Sequence, residues 1–205
     1  MMTVLLSLFL LLSPKPAAPK ISLLTTGPTK DTTITFLWRE PRYLEDLQDT
    51  FSTIIINEEY CKVMSDAERA AIGFAAYNIG SECEWDGEAT EGRTNLKCVV
   101  PSALGLGYQC SDTQITFLRT WFRNDPKSLK ELNGCPTTPN TSTIQDTFDE
   151  IKVTTKGDKI ILTFKANGVN MREDEAWSWS EKITFKRDGD SLKITKHSRS
   201  KTVEH

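Results

Sequence analysis

The sequence predicts an α+β fold in which a helical first half packs on a C-terminal four-stranded antiparallel β-meander. Apolar residues recur at helical spacing after two capping boxes, at Ser65–Glu68 and Ser111–Gln114. From residue 145 to residue 200 the pattern changes to alternating apolar and polar residues, which is typical of strands with one buried face. The length of 205 residues suits a single domain. The predicted divisions of this domain, 21–205, are a helical part at about 41–135, a polar connector at 136–144 and the β-meander at 145–200.

The N-terminal segment contains an apolar run, Val4 to Leu12, that is too short to span a membrane. Such a run followed by Pro14, Pro16 and small residues is typical of a secretory signal peptide, although no lysine or arginine precedes it. A buried N-terminal strand or helix is the alternative. We expect residues 1–20 to be a signal peptide and the mature protein to be secreted or periplasmic, with no membrane span.

The first elements after this segment are predicted from residue type and spacing. Thr32 to Trp38 is rich in β-branched and aromatic residues and predicts a strand. Residues 41–51 carry Tyr43, Leu44, Leu47 and Phe51 at helical spacing and predict a helix. Residues 52–56 are ambiguous, because they could end that helix or form a short buried strand.

Four further helices are predicted before the connector. The Ser65–Glu68 capping box starts a helix that ends before Gly80. A second helix is expected within residues 95–106, and a third follows the capping box at Ser111. A short helix from Pro126 to about residue 133 completes the helical part.

The predicted β-meander consists of two hairpins. One turns near residues 156–158 and the other at Asp188–Gly189, which is a strong tight-turn signal. Trp177, Trp179, Ile183 and Phe185 share one parity, so we expect them in the core, with stacking on sugars or bases as the alternative. The same alternation places His197 on the exposed face. Residues 167–176 read as a long polar connection between the hairpins.

Five cysteines in an exported chain favour two disulfides and one free thiol. The helix at residues 65–80 separates Cys61 from Cys83 by about 24 Å, which is too far for a bond between them. We therefore predict the pairs Cys83–Cys98 and Cys110–Cys135, with Cys61 free. The absence of a Cys-x-x-Cys pair disfavours a zinc site.

Charge is distributed unevenly along the chain, whose net charge is −3. Thirteen acidic and four basic side chains lie between Arg39 and Glu91, a balance of −9. The densest stretch contains the candidate binding residues Glu84, Asp86, Glu88 and Glu91. A calcium loop, a catalytic carboxylate pair and a solvated loop are the alternatives there, and the residue order does not match an EF-hand. Further candidates are Arg172, Glu173 and Asp174, at the tip of the connection between the hairpins.

These observations favour a small exported, non-catalytic binding protein. Its expected partner is another protein, for example the basic target of an inhibitor or immunity-type protein, because the acidic half would attract it. The chain lacks a concentrated basic face for nucleic acid and a Gly-x-Ser-x-Gly elbow, and we expect no cofactor and no metal. The alternatives are a metal-dependent hydrolase that uses the acidic loop 82–91, and a structural component of the cell envelope.

Overall fold

The computed structural model describes residues 31–45, 48–85, 96–134 and 144–205. Of these residues, 50% lie in strands and 26% in helices, so the protein is mostly β. The strands are β1 (Thr32–Leu44), β2 (Asp49–Ile56), β3 (Cys83–Trp85), β4 (Leu96–Cys98), β5 (Ile144–Lys156), β6 (Lys159–Asn170), β7 (Glu175–Asp188), β8 (Ser191–Arg199) and β9 (Val203–Glu204). The helices are α1 (Glu58–Val63), α2 (Asp66–Asn78), α3 (Val99–Ala103), α4 (Asp112–Trp121) and α5 (Pro126–Glu131).

One large antiparallel sheet dominates the architecture and corrects the predicted fold class. Its order is β2-β1-β5-β6-β7-β8, and β9 pairs with β7 as the seventh strand. β3 and β4 form a separate two-stranded sheet. The prediction of a helical first half on a four-stranded meander was wrong, because β1 and β2 extend the sheet and the helices are few and short.

The described residues of the helix predicted over 41–51, which are 41–45 and 48–51, belong instead to the β1–β2 hairpin, in which Arg39 lies opposite Ile54. The apolar residues at helical spacing there do not pack into a core, since Tyr43 and Phe51 are 60% and 41% exposed. Pro41 is compatible with a strand at this point. Beyond Leu37, the structure describes pairing of β1 with β2 alone. The backbone N–H that Pro41 lacks therefore interrupts no hydrogen-bond ladder on the opposite edge of β1.

Helix α2 confirms the prediction from its capping box. Ser65 Oγ accepts a hydrogen bond from the Glu68 backbone N–H, and Glu68 Oε2 accepts one from the Ser65 backbone N–H at 2.8 Å. Glu68 also reaches the sheet, because its Oε1 accepts a hydrogen bond from Thr155 Oγ1 at 2.7 Å. Burial acts to raise the pKa of Glu68, but the hydrogen bonds from Thr155 and Ser65 outweigh it and hold the pKa below its ordinary value. Glu68 therefore both caps α2 and ties its start to β5.

The other predicted helices are confirmed in part. α4 begins after Ser111 and α5 begins at Pro126, as expected. The helix expected within residues 95–106 is reduced to the five residues of α3, which directly follow β4. No helix of the described part is long and apolar enough to cross a membrane.

The two predicted hairpins, β5–β6 and β7–β8, are present, but their strands are longer than expected. β6 continues to Asn170 and β7 starts at Glu175, so Asn170 and Glu175 lie opposite each other. The predicted long connection over residues 167–176 is therefore a turn of residues 171–174. The main core lies between this part of the sheet and the helices. In it, the Phe74 ring of α2 lies 4.8 Å from that of Phe122 and 6.3 Å from that of Phe185 on β7.

The disulfide between Cys83 and Cys98 confirms the predicted pair. The two residues lie directly opposite each other on β3 and β4, with their Cα atoms 3.9 Å apart. Cys61 is free, as expected. Cys110 is disulfide-bonded, and its predicted partner Cys135 lies outside the described residues. The predicted signal peptide, residues 1–20, and most of the connector 136–144 also lie outside them.

Candidate functional site

The structure does not bring Glu84 together with the candidate residues of the hairpin tip. Glu84 is exposed on β3 and lines a shallow depression beside the disulfide. Asp86, Glu88 and Glu91 lie outside the described residues. Arg172, Glu173 and Asp174 are exposed in the turn between β6 and β7, and Asp174 lines a different cavity, next to Trp177. Within the described ranges, no group of three or more His, Cys, Asp or Glu side chains is placed to hold a metal ion.

A concave site lies between α2 and the sheet. This inner cleft has a volume of about 300 Å³. Phe74, Ala75 and Asn78 of α2 line one wall. The opposite wall is the inward face of the sheet, and the side chains there that carry polar groups are Asp146, Trp177, Trp179, Glu181, His197 and Arg199. Apolar walls with a few converging polar groups are typical of sites for small organic ligands.

Glu181 of β7 is the most buried charged group of the cleft, with 8% of its side chain exposed. Its Oε1 accepts a hydrogen bond from Trp179 Nε1 at 2.8 Å. Its Oε2 lies 2.5 Å from His197 Nε2, and Arg199 Nη1 lies 3.5 Å from Oε1. The Arg199 guanidinium also stacks on the Trp179 ring, 4.4 Å from its centroid. Both oxygens of the buried carboxylate are thus satisfied, and Trp179 and Arg199 are held in fixed positions.

A β-bulge in β8 places His197 and Arg199 on the cleft side. Phe185 lies opposite Ile194, and the preceding residue of β7, Thr184, lies opposite Lys196. Thr195 is therefore the extra residue of β8. Before the bulge the even-numbered residues of β8 face inward, and after it the odd-numbered ones do, because one inserted residue shifts the alternation. His197 was expected on the exposed face. Its side chain is 40% exposed, yet it faces the cleft opposite Ile183.

Asp146, Gly168 and Trp177 form one row across three strands. Asp146 on β5 lies opposite Gly168 on β6, and Gly168 lies opposite Trp177 on β7. Trp177 Nε1 crosses β6 and donates a hydrogen bond to Asp146 Oδ1 at 3.2 Å. A Cβ atom on Gly168 would lie 2.2 Å from the indole and 2.3 Å from Asp146 Oδ1. The row therefore requires glycine at its centre, because a larger residue would block the contact between the indole and the carboxylate.

The Asp146 carboxylate is held in a poorly solvated position. Burial raises its pKa above the ordinary value, and the hydrogen bond from Trp177 and the positive charge of Arg199 offset part of this rise. An ionised carboxylate in such a place costs stability that a neutral side chain would not. Groups that reduce stability in this way are concentrated at functional sites.

A second, outer cavity of about 430 Å³ adjoins the cleft. Trp177 and Arg199 line both cavities. The rest of the outer wall comes from Asp174 of the turn, from the start of β7 and from the C-terminal residues, with Glu204 lying opposite Trp177. His205 closes this end, where its Nε2 lies 2.8 Å from Ser178 Oγ. The two cavities are therefore separated by little more than the Trp177 and Arg199 side chains.

Sequence reasoning missed most of this site. Glu181 has the same parity as Trp179 and Ile183, so a charged residue within an apolar stripe was a readable signal. The roles of His197 and Arg199 depend on the bulge, and the role of Asp146 depends on the cross-strand register. Neither the bulge nor the register has a local signature in the sequence. Trp177 and Trp179 were expected in the core. Trp179 is 6% exposed and Trp177 is half-buried, and both line the cleft.

Comparison with known proteins adds no relative: no family model, curated protein or solved structure matches the chain.

Proposed function

We propose that this chain is a non-catalytic binding protein that holds a small organic molecule in the inner cleft. The observation that supports this most directly is the combination of a concave site with two tryptophans and polar groups whose positions are fixed by the network around Glu181. In this proposal a small ligand replaces the expected protein partner. Export of the mature protein remains part of the proposal.

The chemistry of the cleft favours binding over catalysis. Glu181 has both oxygens engaged by neighbouring side chains, and His197 Nε2 is directed at Glu181. Within the described residues, no serine, threonine or cysteine lines the cleft, so His197 has no nucleophile to activate there. The polar groups are thus suited to fixing the orientation of a ligand.

The hydrolase and envelope-component hypotheses lead to different experimental results. The hydrolase depends on the 82–91 loop, most of which lies outside the described residues, and predicts cation binding that Glu84→Gln weakens. A structural envelope component predicts no saturable small ligand. Both can therefore be separated from the cleft proposal by direct binding measurements.

The test compares the wild-type chain with Asn78→Phe. Asn78 is exposed at the end of α2 and lines the cleft, so a phenyl ring there should close the mouth without disturbing the core. Thr116→Phe is the matched control, because it adds the same ring at an exposed position of α4. Phenethylamine, phenylethanol and phenylpropionate serve as cationic, neutral and anionic probes in saturation-transfer NMR and calorimetry.

We expect at least one probe to bind the wild type and Thr116→Phe, and to lose its binding in Asn78→Phe. Circular dichroism and thermal unfolding of all three proteins establish that the variants fold. If Asn78→Phe abolishes the binding of none of these probes, nor of the amines used in the experiment of the next subsection, the proposed function is wrong.

A further inference from the structure

We propose that the ligand is an extended organic polyamine, which lies along Trp177 and places a terminal ammonium group in each cavity. This inference rests on the proposed function, because it names the ligand class of the same cleft. It adds the outer cavity, the residues that would hold each end and the length that the ligand must have.

The first argument is geometric. The row of Asp146, Gly168 and Trp177 continues to Glu204 on β9, which lies opposite Trp177. Residues directly opposite each other in a sheet share a face, so the indole lies between the two carboxylates. Asp146 and Glu204 are three strand spacings apart, or about 14 Å between their backbones. Both ends of an extended chain can therefore meet a carboxylate while its middle crosses the ring.

The second argument is the charge of the walls. Three carboxylates line the inner cleft and three line the outer cavity. They are Glu131, Asp146 and Glu181 in the cleft, and Asp174, Glu175 and Glu204 in the outer cavity. The one guanidinium, Arg199, lies 3.5 Å from Glu181 and stacks on Trp179. The histidines, His197 and His205, are directed at Glu181 and Ser178. The excess of carboxylates favours a cation and repels an anion of the same shape.

The third argument is the ring itself. Trp177 is half-buried and lines both cavities, so a molecule that occupies both must cross it. Its N–H is directed at Asp146, which fixes the plane of the indole. Tryptophan is the preferred aromatic surface for ammonium groups and for the methylene groups next to them. A chain of methylenes with an amine at each end therefore matches the order of groups along the row, which is the Asp146 carboxylate, the Trp177 ring and the Glu204 carboxylate.

Calorimetry on the full chain tests the inference with spermine, the much shorter putrescine, butylamine and the dianion sebacate. We expect spermine to bind more tightly than putrescine and butylamine, and sebacate not to bind. Glu204→Gln should weaken spermine about fivefold, the value of one partly exposed ion pair, and leave putrescine unchanged. Glu204 is exposed on a short edge strand, so this variant should fold. Glu59→Gln, on the exposed face of α1, controls for the loss of one negative charge.

A second variant examines the inner end. Asp146→Asn keeps the acceptor for the Trp177 N–H and removes the charge, so it should weaken spermine and putrescine alike. Together the two variants distinguish a ligand that spans both cavities from one that occupies the cleft alone.

The two proposals fail in different ways. If spermine binds no more tightly than butylamine, if sebacate binds better, or if Glu204→Gln affects spermine and putrescine equally, the polyamine proposal is overturned. Binding of any probe that Asn78→Phe abolishes would leave the proposed function standing in those cases. If neither the amines nor the aromatic probes distinguish Asn78→Phe from wild type, both proposals are wrong.

Discussion

Replacement of Glu181 by glutamine tests how much the buried carboxylate stabilises the protein. Glutamine has nearly the same volume, and its amide oxygen can still accept the hydrogen bond from Trp179 Nε1. The change therefore removes the charge that His197 and Arg199 face and creates no cavity. Any loss of stability can then be assigned to the electrostatic part of the network.

The expected magnitude follows from the contacts. Glu181 is 8% exposed and has two short hydrogen bonds, at 2.8 Å to Trp179 and 2.5 Å to His197. A bond to a charged group contributes about 1 kcal/mol more than a neutral one, so the two together account for about 2 kcal/mol. The desolvation that the neutral amide avoids offsets part of this. We expect the free energy of unfolding to fall by about 1–2 kcal/mol, which corresponds to about 2–8 °C in Tm.

The matched control is Glu59→Gln. Glu59 lies 2.6 Å from Lys62, a distance as short as those at Glu181, but its side chain is 85% exposed. An exposed pair of this kind contributes less than about 0.5 kcal/mol. Urea denaturation followed by tryptophan fluorescence and thermal unfolding followed by circular dichroism measure both variants. If Glu181→Gln loses no more stability than Glu59→Gln, the reasoning about the buried network is refuted.

Three further predictions concern stability. Glu68→Gln should destabilise the protein at neutral pH. Because the pKa of Glu68 is lower in the folded state, its contribution to the free energy of unfolding is complete above the unfolded pKa of about 4.3. Urea titrations should show that the stability difference between the variant and wild type vanishes as the pH falls through the lower, folded pKa. A stability difference that stays constant with pH would contradict this. Asp146→Asn should be more stable than wild type at pH 8, because the raised pKa of Asp146 makes its ionised form costly. That gain in stability should disappear below about pH 4, where the carboxyl group is protonated in both the folded and the unfolded state. Thermal unfolding at pH 8 and in acid measures it, and a gain that persists in acid would contradict the prediction. Replacing Cys83 and Cys98 by serine opens a loop with a sequence separation of 15 residues and should cost about 3 kcal/mol. Urea denaturation measures this loss, and an unchanged midpoint would show that the disulfide does not constrain the unfolded chain.

The parts of the fold that depend on local interactions could be predicted from the sequence. The capping box at Ser65 and the turn at Asp188–Gly189 involve residues a few positions apart, so their signals are complete within a short window. The Cys83–Cys98 pair could be inferred because the alternatives were restricted by distance. These predictions needed no knowledge of the rest of the sheet.

The first hairpin could not be predicted in this way. The apolar residues between Tyr43 and Phe51 fit a helical stripe, and what decides against the helix is pairing with partners elsewhere in the chain. β1 reaches β5 across more than a hundred residues, with Thr33 Oγ1 2.8 Å from Thr154 Oγ1. Such pairing is set by the whole sheet, so tertiary context overrides the local pattern.

The site depends even more strongly on register. Asp146 and Trp177 are 31 positions apart, and they meet because Gly168 lies between them on β6. A glycine in a strand signals a close approach of some kind, but which side chains approach it is fixed only by the alignment of three strands. The carboxylates of the acidic loop are close together in sequence, whereas those of the cleft come from three separate elements.

The extra residue at Thr195 also bears on how this site could arise and be lost. If Thr195 instead paired with Thr184, the ladder would be regular from Ile194 onward, and Lys196 and Ser198 would take the positions opposite Ile183 and Glu181 that His197 and Arg199 hold now. The strand would still pair with β7, but Glu181 would lose both basic neighbours at once. The chain could therefore keep its architecture and lose its cleft through a slip of one residue in β8, whereas deletion of Thr195 would leave His197 and Arg199 opposite the residues they face now.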